Sequence, residues 1–225
     1  FTLSSVDGTF LIPIFQILTE NLAREDVGQI LNNISFIVFN YDRCLEIFFP
    51  NALMAYYGLD RNEADKICEN ATIIHPYGRV GEFGRGQSLA SAGFGAERVN
   101  IRQIAGGIRT FSEGIAEGDV DIEIKSAIEN ADQIVFLGFA FHPMNMDILR
   151  PKGTSRITEI YGTTHGLSDA AIRSVEAGLL HALGKRAPND LLPPPENLHS
   201  LDELNLERRT ASEFLQAHFR GIAAS

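Results

Sequence analysis

The stretch Ile34-Ser-Phe-Ile-Val-Phe-Asn-Tyr-Asp-Arg43 decides how this chain reads. Residues 34 to 39 are mostly β-branched or aromatic with almost no polar alternation, the pattern of a strand buried on both faces. The run stops abruptly at Asn40, Tyr41 and Asp42, and a helical segment carrying Leu45, Phe48 and Phe49 follows. In an open parallel α/β sheet, ligands bind in the crevice outside the carboxyl ends of the strands. Polar side chains at this handover are therefore candidates for chemistry.

The pattern recurs along the chain. Ala71-Thr-Ile-Ile-His75 is a second short apolar strand that ends in a polar residue, followed by Pro76-Tyr-Gly78. Gln133-Ile-Val-Phe-Leu-Gly138 is a third, breaking into Phe139-Ala-Phe-His-Pro143, and Arg156 to Tyr161 is a fourth, ending in Gly162-Thr-Thr-His165. Helices are expected between them: 11 to 22, 24 to 32, a segment after Asp42 that Pro50 ends by opening a new helix, and 62 to 69. Further helices are expected over 120 to 131 with Asp119 as N-cap, after a Ser168 cap, and from about Leu204 to Phe219. Strands alternating with crossovers of a dozen or more residues imply parallel pairing, hence a doubly wound, mostly parallel α/β sheet with helices on both faces.

Eight glycines between Gly78 and Gly107 mark a long loop or lid, and Ile108 to Ser112 reads as either a short strand or a helical turn. Residues 1–184 form the expected domain, and 185–225 a linker with Pro193-Pro-Pro195 and a closing helix.

At 225 residues and 44% hydrophobic, the chain can bury a substantial core. A formal charge of -10 argues against nucleic acid as a partner, because such binding relies on Lys and Arg neutralising phosphates. The local exception runs from Arg79 to Arg109, where five Arg face two Glu. The two cysteines, Cys44 and Cys68, form neither a CxxC pair nor a four-cysteine zinc site, and read as buried small hydrophobes. No run approaches the roughly 20 apolar residues of a membrane span, and no basic-then-apolar signal opens the chain, so a cytoplasmic protein is expected.

Singly, each strand-end signal has an ordinary explanation. Asn40 can cap the next helix, Asp42 suits a helix start, His75 can be a hydrogen-bonded core histidine, and Gly138 can serve a tight turn. In combination, Phe39-Asn-Tyr-Asp-Arg-Cys-Leu-Glu46, Ile74-His-Pro-Tyr-Gly78 and Val135-Phe-Leu-Gly-Phe-Ala-Phe141 resemble the SIR2-like group of the sirtuin superfamily over about residues 34 to 166. The resemblance implies a Rossmann-like domain that binds NAD and cleaves its nicotinamide–ribose bond. Asn40 then matches the asparagine that positions the ribose and the attacking water or acyl oxygen, and His75 the general base toward a ribose hydroxyl. Gly138, Phe139 and Ala140 match the turn beside the adenosine half. Asp42 orients Asn40 or binds ribose, while Tyr41, Gly78 and Thr163 complete the implied cofactor contacts.

The chemistry suits these residue types. Breaking the bond at C1′ develops oxocarbenium character while nicotinamide departs neutral, so positioning and one base suffice. An imidazole, which ordinarily titrates near about 6.5, is such a base.

Three departures from the family refine the expectation. Its glycine-rich pyrophosphate turn, Gly-Ala-Gly-x-Ser, does not precede the central motif, and with Phe1 opening the chain a truncated N-terminus is expected. The four-cysteine zinc module of the deacetylating sirtuins is missing, which favours plain NAD hydrolysis of the bacterial antiphage-defence kind, without zinc, over deacylation. Ala140 stands where a serine is common, so one cofactor hydrogen bond is lost or passes to main chain or to His142. His142 and His165 otherwise read as surface or capping residues, and the arginines of the 79 to 109 stretch as solvated or phosphate-facing. The alternatives are an NAD-dependent deacylase and a non-catalytic NAD or ADP-ribose sensor, with homo-oligomerisation left open. A Ser-His-Asp triad fits less well, because no Gly-x-Ser-x-Gly elbow is present.

Overall fold

The computed structural model of this chain describes residues 6–80, 118–186 and 199–223. The expected lid beyond residue 80, the 108 to 112 segment and the triproline lie outside the described residues. In chain order the elements are α1 (Leu11–Thr19), a 3-10 turn (Arg24–Gln29), β1 (Ser35–Ile37), α2 (Cys44–Tyr57), α3 (Arg61–Cys68) and β2 (Thr72–Ile74). Then follow α4 (Asp119–Asn130), β3 (Gln133–Phe136), α5 (Pro143–Ile148), β4 (Glu159–Thr163) and α6 (Asp169–Leu183). The chain closes with β5 (Lys185–Arg186), β6 (His199–Ser200), β7 (Glu203–Glu207), α7 (Ala211–Ala217) and α8 (Phe219–Ala223).

This is a mixed α/β protein whose described strands pair in parallel, in small sheets β1-β2, β3-β4-β7 and β5-β6. The chain falls into two compact units, Phe1–Ala23 with Glu123–Ser225, and Arg24–Ile122. No described helix is long and apolar enough to cross a membrane.

In the Arg24–Ile122 unit, β1 pairs with β2 so that Ser35, Phe36 and Ile37 lie beside Thr72, Ile73 and Ile74. The connection runs through α2 and α3, which pack on one another. Helix α2 corrects the expectation at Pro50, since it continues through the proline instead of restarting there. A proline inside a helix costs about 3 kcal/mol in a lost bond and a steric clash. Phe48, Phe49, Ala52 and Leu53 flank it and are buried, and two phenylalanines alone offset that cost at about 1.5–3 kcal/mol each. Gly58 ends α2 in the left-handed region at φ 65°. The start of α3 is a capping box: Asp60 Oδ1 accepts from the Glu63 N–H at 2.9 Å, and Glu63 Oε2 from the Asp60 N–H at 2.8 Å. The helix expected over 24 to 32 is a shorter 3-10 turn.

In the other unit β4 is central, flanked by β3 and β7. It begins three residues later than expected, because Arg156 to Thr158 precede the ladder, with Ile157 already fully buried. The larger correction is at the C-terminal end, where Glu203–Glu207 is a strand and not the start of a helix. Glu203-Leu-Asn-Leu-Glu207 alternates with period two, so Leu204 and Leu206 share one face beside Ile160 and Gly162 of β4. Helix formation waits for Thr210, whose hydroxyl accepts from the Glu213 N–H while Glu213 Oε2 accepts from the Thr210 N–H. Helices α7 and α8 pack on α1, and α7 on β4, burying Phe214 and Leu215. Short strands β5 and β6 stand at either end of the expected linker.

Candidate functional site

Strand β1 ends at Ile37, and the Val38 N–H still donates to the Ile74 carbonyl at 2.8 Å, so the two strands reach their carboxyl ends side by side. The loops that leave them are then tied together. The Val80 N–H donates to the Tyr41 carbonyl at 2.9 Å, and the rings of Phe39 and Tyr77 meet edge-on with centroids 6.0 Å apart. After β2 the chain turns tightly, the Gly78 N–H donating to the His75 carbonyl at 3.0 Å with Gly78 at φ 79°, a left-handed conformation that favours glycine.

This arrangement puts His75 against Asn40, 35 residues away in sequence. His75 Nδ1 lies 3.3 Å from the main-chain oxygen of Asn40, and Nε2 lies 3.0 Å from Glu46 Oε1 in the first turn of α2. The imidazole is 5% exposed and the Glu46 side chain 9%. Arg79 Nη1 donates to the same Glu46 oxygen at 3.4 Å. Glu46 Oε2 is buried with no hydrogen-bond partner among the described residues, so the whole pairing falls on Oε1. Burial pushes the Glu46 carboxyl up. The hydrogen bond from His75, the residue's own N–H and the charges of His75 and Arg79 outweigh burial and hold it below its ordinary 4.5.

Both partners of the ring are acceptors. A main-chain carbonyl and an ionised carboxylate cannot donate, so both contacts are hydrogen bonds only when the ring carries two protons, or when Glu46 carries one.

Asn40 itself is exposed, and it meets His75 through its carbonyl and not its side-chain amide. The amide stands at the surface where both strands end. Asp42 Oδ1 accepts from the Cys44 N–H at 3.1 Å, closing the start of α2. Burial, then the hydrogen bond with Asp42, pushes the Cys44 thiol up to about 11.

Gly138, Phe139, Ala140 and Thr163 belong to the other unit, at the carboxyl ends of β3 and β4. Gly138 adopts φ 61°, and its N–H donates to Thr163 Oγ1 at 2.8 Å. Thr163 is buried and its hydroxyl reaches back to the Phe136 carbonyl at 3.4 Å, so it braces the turn after β3. Phe139 clusters with Phe136 and Phe141, its ring centroid 5.3 and 5.2 Å from theirs and edge-on to Phe141, and Ala140 is exposed. His142 caps α5, its Nδ1 accepting from the Met144 N–H at 3.4 Å, and His165 is exposed.

The structure therefore assembles Asn40, Tyr41, His75 and Gly78 at one paired strand end, and Gly138 with Thr163 at another. Glu46 is the residue to which sequence reasoning assigned no role. An acid in the first turn of a helix is favoured by the helix dipole alone, and nothing in its spacing marks a contact 29 residues away. Arg79, read as phosphate-facing or solvated, is engaged with Glu46. Among the described residues no cluster of His, Cys, Asp and Glu is arranged to hold a metal ion. No protein-family model, curated protein or solved structure matches this chain.

Proposed function

We propose that this protein consumes NAD, cleaving the nicotinamide–ribose bond by hydrolysis, and that it belongs with the sirtuin-like NAD hydrolases of the SIR2-like type. The single observation that supports the reading is the contact between His75 and Asn40 at the paired ends of β1 and β2. Two residues matched by motif alone are neighbours in space, on the strand edge where α/β proteins bind ligands.

In the proposed reaction the C1′–N bond breaks with its electron pair leaving to nicotinamide, which departs neutral. A water oxygen bonds to C1′ and its proton is released, giving ADP-ribose. The exposed Asn40 amide holds the water or a ribose hydroxyl without adding charge. His75 takes a proton from the ribose hydroxyl, the ribose oxygen recovers one from the incoming water, and His75 then gives its proton to solvent, so one proton is released in all. The finer fold assignment, a doubly wound Rossmann-like sheet, belongs to the same proposal, as do a cytoplasmic setting and a role in antiphage defence.

One observation favours a second reading, a non-catalytic sensor of NAD or ADP-ribose. Both ring nitrogens of His75 are already engaged, as expected of a brace between two strand ends. Incubation with NAD separates the two. Hydrolysis gives free nicotinamide and ADP-ribose, lost in Asn40→Ala and His75→Ala, whereas a sensor gives thermal stabilisation by ligand without turnover. Nicotinamide release that requires an acetylated peptide would instead indicate deacylation. Undiminished turnover in both variants refutes the site.

A further inference from the structure

We infer that Glu46 is the positioning residue of this site, holding His75 by Nε2 so that Nδ1 is the nitrogen presented to substrate beside Asn40; the inference rests on the proposed NAD hydrolysis. Glu46 Oε1 lies 3.0 Å from Nε2 and both side chains are more than nine-tenths buried. An ionised carboxylate only accepts, so it selects the tautomer with its proton on Nε2 and leaves the Nδ1 lone pair facing the Asn40 end. In that neutral form Nδ1 and the Asn40 carbonyl are two acceptors 3.3 Å apart, and nothing holds them together. Nδ1 is then free to take a proton from a ribose hydroxyl.

Once it has done so, both ring nitrogens carry hydrogen. The new Nδ1–H donates to the Asn40 carbonyl, and the imidazolium is neutralised by Glu46. A doubly protonated ring makes both contacts hydrogen bonds, so an engaged Nδ1 fits the state after proton transfer and is compatible with a base. The logic is that of an acid orienting a catalytic histidine and stabilising the cation it becomes. Arg79, at 3.4 Å from the same oxygen and more than a third exposed, keeps Glu46 ionised from the solvent side.

The experiment compares wild type, Glu46→Gln, Glu46→Asp and His75→Ala for nicotinamide release from NAD, with thermal melting on each and nitrogen-15 NMR of the histidine rings. Glu46→Gln is expected to lower kcat by roughly 10²-fold, within the range attributed to general base catalysis, with KM nearly unchanged. The low-field Nε2–H signal of His75 should disappear with it, a change that a purely structural loss in a folded variant does not produce. Glu46→Asp keeps the charge but shortens its reach, and is expected to lose both turnover and the Nε2–H signal even if Glu46→Gln does not fold. Wild-type turnover in either folded variant, with His75→Ala inactive, overturns the positioning role and leaves the NAD reaction standing. A wild-type chain that releases no nicotinamide overturns both.

Discussion

His75 Nε2 and Glu46 Oε1 stand 3.0 Å apart, joining the end of β2 to the first turn of α2 inside the Arg24–Ile122 unit. The bond couples the candidate base to the stability of its own support.

That coupling has a pH dependence with a definite sign. The folded Glu46 carboxyl lies below its ordinary 4.5, so the unfolded chain binds more protons in the acid range. Stability from this group is fully present above the unfolded value and is lost as pH falls through the depressed folded value. Urea midpoints measured from about pH 6 down to about pH 3 should fall less steeply for Glu46→Gln than for wild type. Equal slopes in the two proteins refute the pairing.

Asn40→Ala should separate function from fold. The residue is exposed and meets His75 through main chain that alanine retains. Stability should change by no more than about 0.5 kcal/mol, as for other surface substitutions, while nicotinamide release is lost. A large drop in melting temperature would show that the amide is structural.

Gly162 tests the three-stranded sheet. A Cβ there meets Leu206 Cδ2 at 2.9 Å and Phe136 Cβ at 3.2 Å, side chains of the strands on either side. Gly162→Ala should cost about 1–3 kcal/mol through overpacking, read from the urea midpoint. A neutral result would mean that β7 is not seated beside β4.

The two thiols should be inert in the folded protein. Burial, with Asp42 and Glu46 beside it, pushes Cys44 up to about 11; burial and the charge of Asp65 push Cys68 up to about 12. At neutral pH, iodoacetamide should modify both at least about 100-fold more slowly than a thiol of ordinary pKa, because the thiolate is the nucleophile. Rapid labelling without unfolding would contradict this.

Local pattern carried much of this molecule. Apolar runs at 34 to 39, 71 to 75 and 133 to 138, separated by helical spacing, determined that parallel strands would alternate with helices and that Asn40 and His75 would sit at strand ends. Periodicity reports which face is buried, and that is settled by neighbours in the chain. It does not report partners. Whether Pro50 breaks α2 was a balance between a local clash and the burial of Phe48 and Phe49. Whether Glu203–Glu207 is a strand depended on β4 offering it a ladder. That His75 meets the carbonyl of Asn40 and the carboxylate of Glu46 was decided only by tertiary structure, because a hydrogen bond between residues 29 or 35 positions apart exists only once the sheet and helix between them have packed.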